Sequence, residues 1–137
     1  MGLIHLDTGV VIGLLDATDA HHESATQTLA EAVRSGDRLA MAASAFAECL
    51  VGPSRRGRRA IETVDDLFVR LPIEIVPLDA AIARMAAGIR AKHTSVRLPD
   101  TLVIATAAHA SADRLVTTDR RWPTARKLGL ITVITTL

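Results

Sequence analysis

Residues 98–119, LPDTLVIATAAHASADRLVTTD, set an almost wholly apolar helix directly before a short apolar strand, with a carboxylate at the front of the first and the end of the second. Pro99 suits the first helical turn, where a missing N–H removes no bond, and the run from Leu102 to Ala110 is apolar nearly all the way round, as in a core helix. Asp100 then falls in the first turn, where the positive end of the helix dipole favours an anion. The helix is expected to end near Ala112 and Asp113, before a strand over 114–117, with Asp119 just beyond it. A helix followed by a strand running back puts the helix start and the strand end at one edge. An acidic pocket holding Asp100 and Asp119 follows.

The rest of the chain alternates in the same way. Residues 3–7 make a short apolar run, read as a buried central strand closed by Asp7, and Thr8 and Gly9 lead into an apolar helix over 10–15. After a loop over 16–19, with Asp19 as N-cap, an amphipathic helix is expected over 20–35 and is closed by Gly36. A strand over 38–41 precedes a helix capped by Ser44, carrying Phe46, Glu48, Cys49 and Val51, and ended by Gly52 and Pro53. Glu48 stands among apolar neighbours, and a lone carboxylate buried there would be costly unless something paired with it. A helix over 58–71, a strand over 73–76, a helix over 79–93, a short helix over 124–128 and a strand over 131–134 complete the pattern.

Such alternation predicts an α/β fold with a mostly parallel sheet of four or five strands flanked by helices on both faces. In open sheets of this kind sites form outside the carboxyl ends of the strands. Asp7, Glu48, Asp100 and Asp119 all map to that edge. Each alone has an ordinary structural reading, as a strand-end turn former, a dipole partner or a salt-bridged helix residue. Together they would repel one another unless a cation sat between them. Oxygen ligands without convergent Cys or His select Mg²⁺ or Mn²⁺ rather than Zn²⁺. A cation so held lowers the pKa of a bound water and stabilises a leaving oxygen, which fits hydrolysis of a phosphodiester.

Composition narrows the classes. With 137 residues and 49% hydrophobic content, the chain is expected to form one domain over 1–137. The apolar runs are broken by Asp7, Asp16 or His109 before they reach a bilayer-spanning length, and no basic region precedes an apolar one, so a soluble, cytoplasmic protein with no membrane partner is expected. Cys49 is the lone cysteine and is expected to pack in the core. The net charge of +1 gives no long-range field for nucleic acid; Arg55, Arg56, Arg58 and Arg59 form a dense basic cluster, a pattern more common as a solvated helix start than as a phosphate site, yet the best candidate in the chain for a backbone contact. With three aromatics, Phe46, Phe68 and Trp122, the chain has no base-stacking platform.

The motifs LDTGVVIGLLD with Asp7, ASAFAECLVG with Glu48, LPDTLVIATA with Asp100 and LVTTDRRW with Asp119, in this order and spacing over nearly the full length, resemble the PIN-domain ribonucleases of the VapC toxin type. The resemblance implies a PIN-like fold, Mg²⁺- or Mn²⁺-dependent cleavage of RNA, homodimerisation, and neutralisation by a cognate VapB-type antitoxin whose tail occupies the groove near the acids, as in type II toxin-antitoxin systems. Asp7, Glu48 and Asp100 match the family's metal-holding, catalytic acids, and Asp119 matches a fourth that binds more weakly or through water. Thr117 or Thr118 matches a hydroxyl position that bonds to the site, with Thr8 beside Asp7 in the same supporting role. Gly9 departs from the pattern, standing where Ser or Asn is common, which removes a supporting hydrogen bond.

Other residues carry weaker signals. Arg97 stands within reach of a substrate phosphate, the antitoxin or a neighbouring acid, and with Arg55 and Arg56 it is a substrate-binding candidate. Asp16, Asp19, His21 and His22 are expected to face solvent rather than form a second metal cluster, and His5 to be a satisfied core histidine. Two other readings compete. A phosphoacceptor signalling domain needs a lysine at the end of a late strand, whereas Lys92 and Lys127 fall on helices. A non-catalytic PIN-like interaction module has no physical reason to keep four clustered acids.

Overall fold

The apolar run at the start of the chain becomes β1 (Leu3–Leu6), and it holds the middle of a five-stranded sheet in the computed structural model, which describes residues 1–137. β2 (Arg38–Ala42) and β3 (Ile73–Val76) lie on one side of it, and β4 (Arg114–Thr117) and β5 (Val133–Thr136) on the other, in the order β3-β2-β1-β4-β5. Every pairing is parallel, with His5 opposite Ala40 on one side and Leu115 on the other. The three inner strands are almost wholly buried and the edge strands are not. Continuous apolar runs read as doubly covered strands for this reason.

Seven helices flank the sheet: α1 (Thr8–Leu15), α2 (His22–Arg34), α3 (Ala43–Arg56), α4 (Arg58–Arg70), α5 (Ala80–Lys92), α6 (Leu98–His109) and α7 (Ala125–Leu128). The chain steps outward from β1 to β3 and then crosses back over the sheet to β4. Right-handed crossovers in opposite directions put their helices on opposite faces, as the sequence pattern implies. Leu6, Met41, Ile104 and Leu115 are fully buried where these layers meet, each contributing about 1.5–3 kcal/mol by removal from water. The direction of winding reverses between β1 and β4. A crevice therefore opens at their carboxyl ends.

Several boundaries differ from the sequence-based expectation. α2 begins at His22, not Ala20, because Asp19 forms a turn of its own, its side chain accepting from the His21 N–H at 2.8 Å instead of capping the helix. α3 starts at Ala43 directly off the strand, without a cap from Ser44, and passes through Gly52 and Pro53 to Arg56. Pro53 sits in the last turn, where it forfeits a single bond, and its ring is buried. The break comes instead at Gly57, whose φ of 112° is open to a residue without Cβ. α6 stops at His109, because Ser111 adopts a left-handed φ of 52°. β5 begins two residues later than expected, with Ile131 turned out to solvent and the Thr132 hydroxyl donating to the Ala112 carbonyl at 2.8 Å.

Cys49 packs in the core as expected. His5 is buried, but it is not satisfied: its Nε2 has no hydrogen-bond partner, and burial lowers its pKa from 6.5 to about 4, so it stays neutral. No helix is long and apolar enough to cross a membrane.

Candidate active site

Asp7 stands where β1 turns into α1 and belongs to both. Its backbone N–H donates to the Val116 carbonyl at 2.9 Å, extending the β1–β4 ladder, and its side chain caps α1 by accepting from the Thr8 N–H at 2.8 Å. The other carboxylate oxygen, Oδ2, accepts from the Thr117 hydroxyl at 2.7 Å, and Thr117 Oγ1 in turn accepts from the Asp119 N–H at 3.1 Å. Asp7 is 8% exposed. Burial pushes its pKa up to about 6; the bonds from Thr117 and Thr8 oppose that rise, and the charges of Asp100 and Glu48 add to it. Three carboxylates therefore share one field.

Glu48 lies on the first half of α3, on the face next to the one that buries Ala45 and Cys49. It is exposed, contrary to the expectation of a buried acid among apolar neighbours. The Thr8 hydroxyl reaches it at 3.0 Å, with the Ala45 carbonyl as its other acceptor at 3.3 Å. One threonine thus touches both Asp7, through its N–H, and Glu48, through its hydroxyl.

Asp100 occupies the first turn of α6 and Asp119 the loop after β4. Arg97 approaches Asp100 with Nε 3.8 Å from Oδ2. Burial raises the Asp100 pKa, Arg97 lowers it, Asp119 and Glu48 raise it, and Arg121 lowers it. Asp119 is held far more closely. Arg121 Nε and Nη2 donate to its two oxygens at 3.1 and 3.0 Å, and the Arg121 N–H donates to Oδ1 at 2.9 Å. This grip holds the Asp119 carboxyl below the usual carboxylate range.

The four predicted acids therefore stand at one edge but under two regimes. Asp100 and Asp119 face arginines, whereas Asp7 and Glu48 have no ion-pair partner. No three acidic, histidine or cysteine side chains converge tightly enough to hold an ion as they stand. A buried carboxylate with two acidic neighbours and no counter-charge is costly. The donor set is all oxygen and fits a hard divalent cation, with Asp7, Glu48 and Asp100 the residues that would hold it.

The remaining predicted residues frame this edge. A groove of about 480 Å³ between α1 and α3, with a mixed polar and apolar lining, runs from Glu48 past Ile12, Leu15, Asp16 and Cys49 to Pro53 and Arg56. Arg55 and Arg56 lie in the last turn of α3, about two turns from Glu48, and are exposed. The Asp16 to His22 loop holds itself together: Asp16 accepts from Thr18, and His22 Nδ1 lies 2.7 Å from the Gly13 carbonyl. Asp16 is exposed as expected, whereas His21 and His22 are half-buried against the loop.

Two relationships escape sequence reasoning. Thr118 Oγ1 occupies the space directly over Gly9, so that a Cβ added at Gly9 would collide with it. The hydroxyl missing from position 9 is matched by one arriving from the end of β4. Arg121, the other omission, is two residues beyond Asp119, the spacing at which an aspartate accepts from backbone in a turn, and that spacing is the one signal the sequence holds.

The sequence profile of the PIN domain matches residues 4–128. Among solved structures, the chain resembles VapBC2 from Rickettsia felis bound to a DNA fragment from its promoter, at a TM-score of 0.74 and 16% identity, covering 98% of each chain. It resembles VapC20 from Mycobacterium tuberculosis, a sarcin-ricin loop cleaving toxin, at a TM-score of 0.71 and 18% identity, covering 95% of this chain and 98% of that one. FitAcB from Neisseria gonorrhoeae gives a TM-score of 0.68 and 20% identity, covering 96% of this chain and 95% of that one. No curated protein matches the sequence. Identities this low speak for the fold.

Proposed function

The chain belongs to the PIN-domain family, and we propose that within it this protein is a Mg²⁺- or Mn²⁺-dependent endoribonuclease, the growth-inhibiting toxin of a type II VapBC pair. Asp7 carries the reading. A carboxylate 8% exposed, at the switch point of a parallel sheet, raised by burial and by two further acids, has a physical purpose if a cation is to lie beside it. Solved neighbours that are toxin–antitoxin assemblies, and one that is a sarcin-ricin loop cleaving toxin, support the choice of RNA and of a protein inhibitor.

A bound Mg²⁺ or Mn²⁺ would supply an acidified water and charge stabilisation for the leaving oxygen. The chain supplies the rest. Asp7, Glu48 and Asp100 are the residues that would hold the cation. Thr117 and Thr8 fix the Asp7 carboxylate by one bond to each oxygen, so that it presents its remaining lone pairs in one direction. Thr8 also restrains Glu48, and Thr118 fills the space over Gly9 beside them. The groove between α1 and α3 opens onto Glu48 and is the place for the antitoxin tail, with Arg56 at its far end. A cytoplasmic location and a homodimer belong to the same reading.

Cleavage of total cellular RNA by purified, antitoxin-free protein tests it. Cutting with Mg²⁺ or Mn²⁺ that is lost in EDTA and in Asp7→Asn is expected. A folded protein that cuts under no metal would transfer the reading to a non-catalytic interaction module.

A further inference from the structure

The acidic edge has a second, differently charged half. Ser95, Arg97, Asp100, Asp119, Arg121 and Trp122 surround a small cleft of about 80 Å³ beside the start of α6. Two carboxylates and two guanidinium groups there cancel in net charge, whereas the Asp7 and Glu48 half has no cation of its own. Asp119 has both oxygens taken by Arg121, one of them twice. Coordinating an ion directly would require it to give up charge-assisted bonds that already satisfy it. Arg121, by contrast, spends Nε and Nη2 on Asp119 and keeps Nη1 free, and Arg97 makes one long approach through Nε, leaving its outer nitrogens unused. Both arginine side chains are mostly exposed, yet their charges are felt across the cleft, Arg97 at Asp119 and Arg121 at Asp100.

A phosphodiester is an anion, and a ring of four acids repels it. A phosphate can enter this edge only where positive charge faces it, and the cleft offers two guanidinium groups held from behind by carboxylates. We propose that Asp119 serves as the anchor of Arg121 rather than as a metal ligand, and that Arg121 and Arg97 together receive a backbone phosphate of the RNA beside the acidic centre. This rests on the nuclease reading above and deepens it: the edge divides into a cation half, Asp7, Glu48 and Asp100, and an anion half, Arg97 and Arg121, with Asp119 a positioning residue between them.

The test separates the two halves without relying on turnover. Affinity for a short random-sequence RNA pool is measured in EDTA over a range of salt, and Mn²⁺ affinity is measured without RNA, for wild type, Arg121→Gln, Arg121→Lys, Asp119→Asn and Asp7→Asn. Arg121→Gln and Asp119→Asn should each weaken RNA binding about two- to fivefold, the scale of an exposed ion pair. The slope of log affinity against log salt should fall by about 0.7 for each phosphate that is no longer neutralised. Arg121→Lys should keep the slope while losing part of the affinity, and Asp119→Asn should keep the Mn²⁺ affinity that Asp7→Asn loses. Unchanged RNA affinity or slope in Arg121→Gln or Asp119→Asn overturns the proposal, as does loss of Mn²⁺ binding in Asp119→Asn equal to that in Asp7→Asn. If wild type binds Mn²⁺ and the variants give either of those results, the nuclease reading still stands. Wild type that takes up neither Mn²⁺ nor RNA overturns both.

Discussion

The Thr117 hydroxyl donates to Asp7 Oδ2 at 2.7 Å although 110 positions separate the two residues in the chain. The bond joins the carboxyl ends of β1 and β4 and fixes the orientation of the most buried acid of the cleft. A hydrogen bond to a carboxylate favours its charged form. Thr117→Val should therefore move the Asp7 pKa above its value of about 6 and shift the acid limb of the pH–rate profile to higher pH, while Thr117→Ser leaves the limb in place. The profile of metal-dependent cleavage checks this.

Asp7 also opposes stability near neutrality. Its folded pKa of about 6 exceeds the ordinary 3.8, so the folded protein keeps a proton that the unfolded chain releases. That contribution is fully present below pH 3.8 and is lost as pH rises through 6. The penalty reached at pH 7 is about 3 kcal/mol, from 1.36 kcal/mol per pKa unit. Asp7→Asn should unfold at a higher temperature than wild type at pH 7 in EDTA, with the difference shrinking towards pH 4. Equal unfolding temperatures at both pH values would contradict the buried charge.

His5 has the opposite sign. Burial depresses its pKa from 6.5 to about 4, so the unfolded chain takes up a proton first as the medium is acidified. Stability is complete above pH 6.5 and is lost as pH falls through 4, by up to about 3 kcal/mol. His5→Leu, which also removes the unpartnered Nε2, should flatten the fall in denaturation midpoint between pH 6 and pH 4. An unaltered fall would place the acid sensitivity elsewhere.

Gly9 and Thr118 form a steric pair. Gly9→Ser should destabilise by about 1–3 kcal/mol, the usual range for overpacking, because the added Cβ meets Thr118 Oγ1. Thr118→Ala removes the colliding atom, so the double variant should recover most of the loss. Chemical denaturation of the four proteins gives the coupling directly, and additive losses would show that the two side chains do not compete for the same space.

Much of this arrangement is legible in the amino-acid order. The alternation of short apolar runs with helical periods yields the parallel sheet, and the position of Asp7, Asp100 and Asp119 at strand or helix ends is enough to place them at one edge. What escapes depends on rotation and distance rather than on neighbours in sequence. Glu48 looks buried among Ala45, Ala47 and Cys49, but on a helix Ala45 and Cys49 turn inward while Glu48 turns out. Pro53 looks like a helix stop, yet in a last turn it forfeits too little to act as one, and Gly57 takes that part. The apolar alternation over residues 131–134 fits two registers, and the buried Thr132 hydroxyl chooses between them. The grip of Arg121 on Asp119 is set by a turn, and no periodicity encodes it.

The long separation between Asp7 and its partners has a temporal side. During synthesis the residues that wall the groove between α1 and α3 have all been added once Arg56 is made, whereas Thr117, Asp119 and Arg121 come more than sixty residues later, so the cleft is among the last features to be completed. A growing chain holds every residue of its groove wall while it still lacks the strand that sets its most buried acid. On the proposed nuclease reading, an interrupted product ending before β4 would have no complete site, and a partner able to take the groove would have a head start over the chemistry.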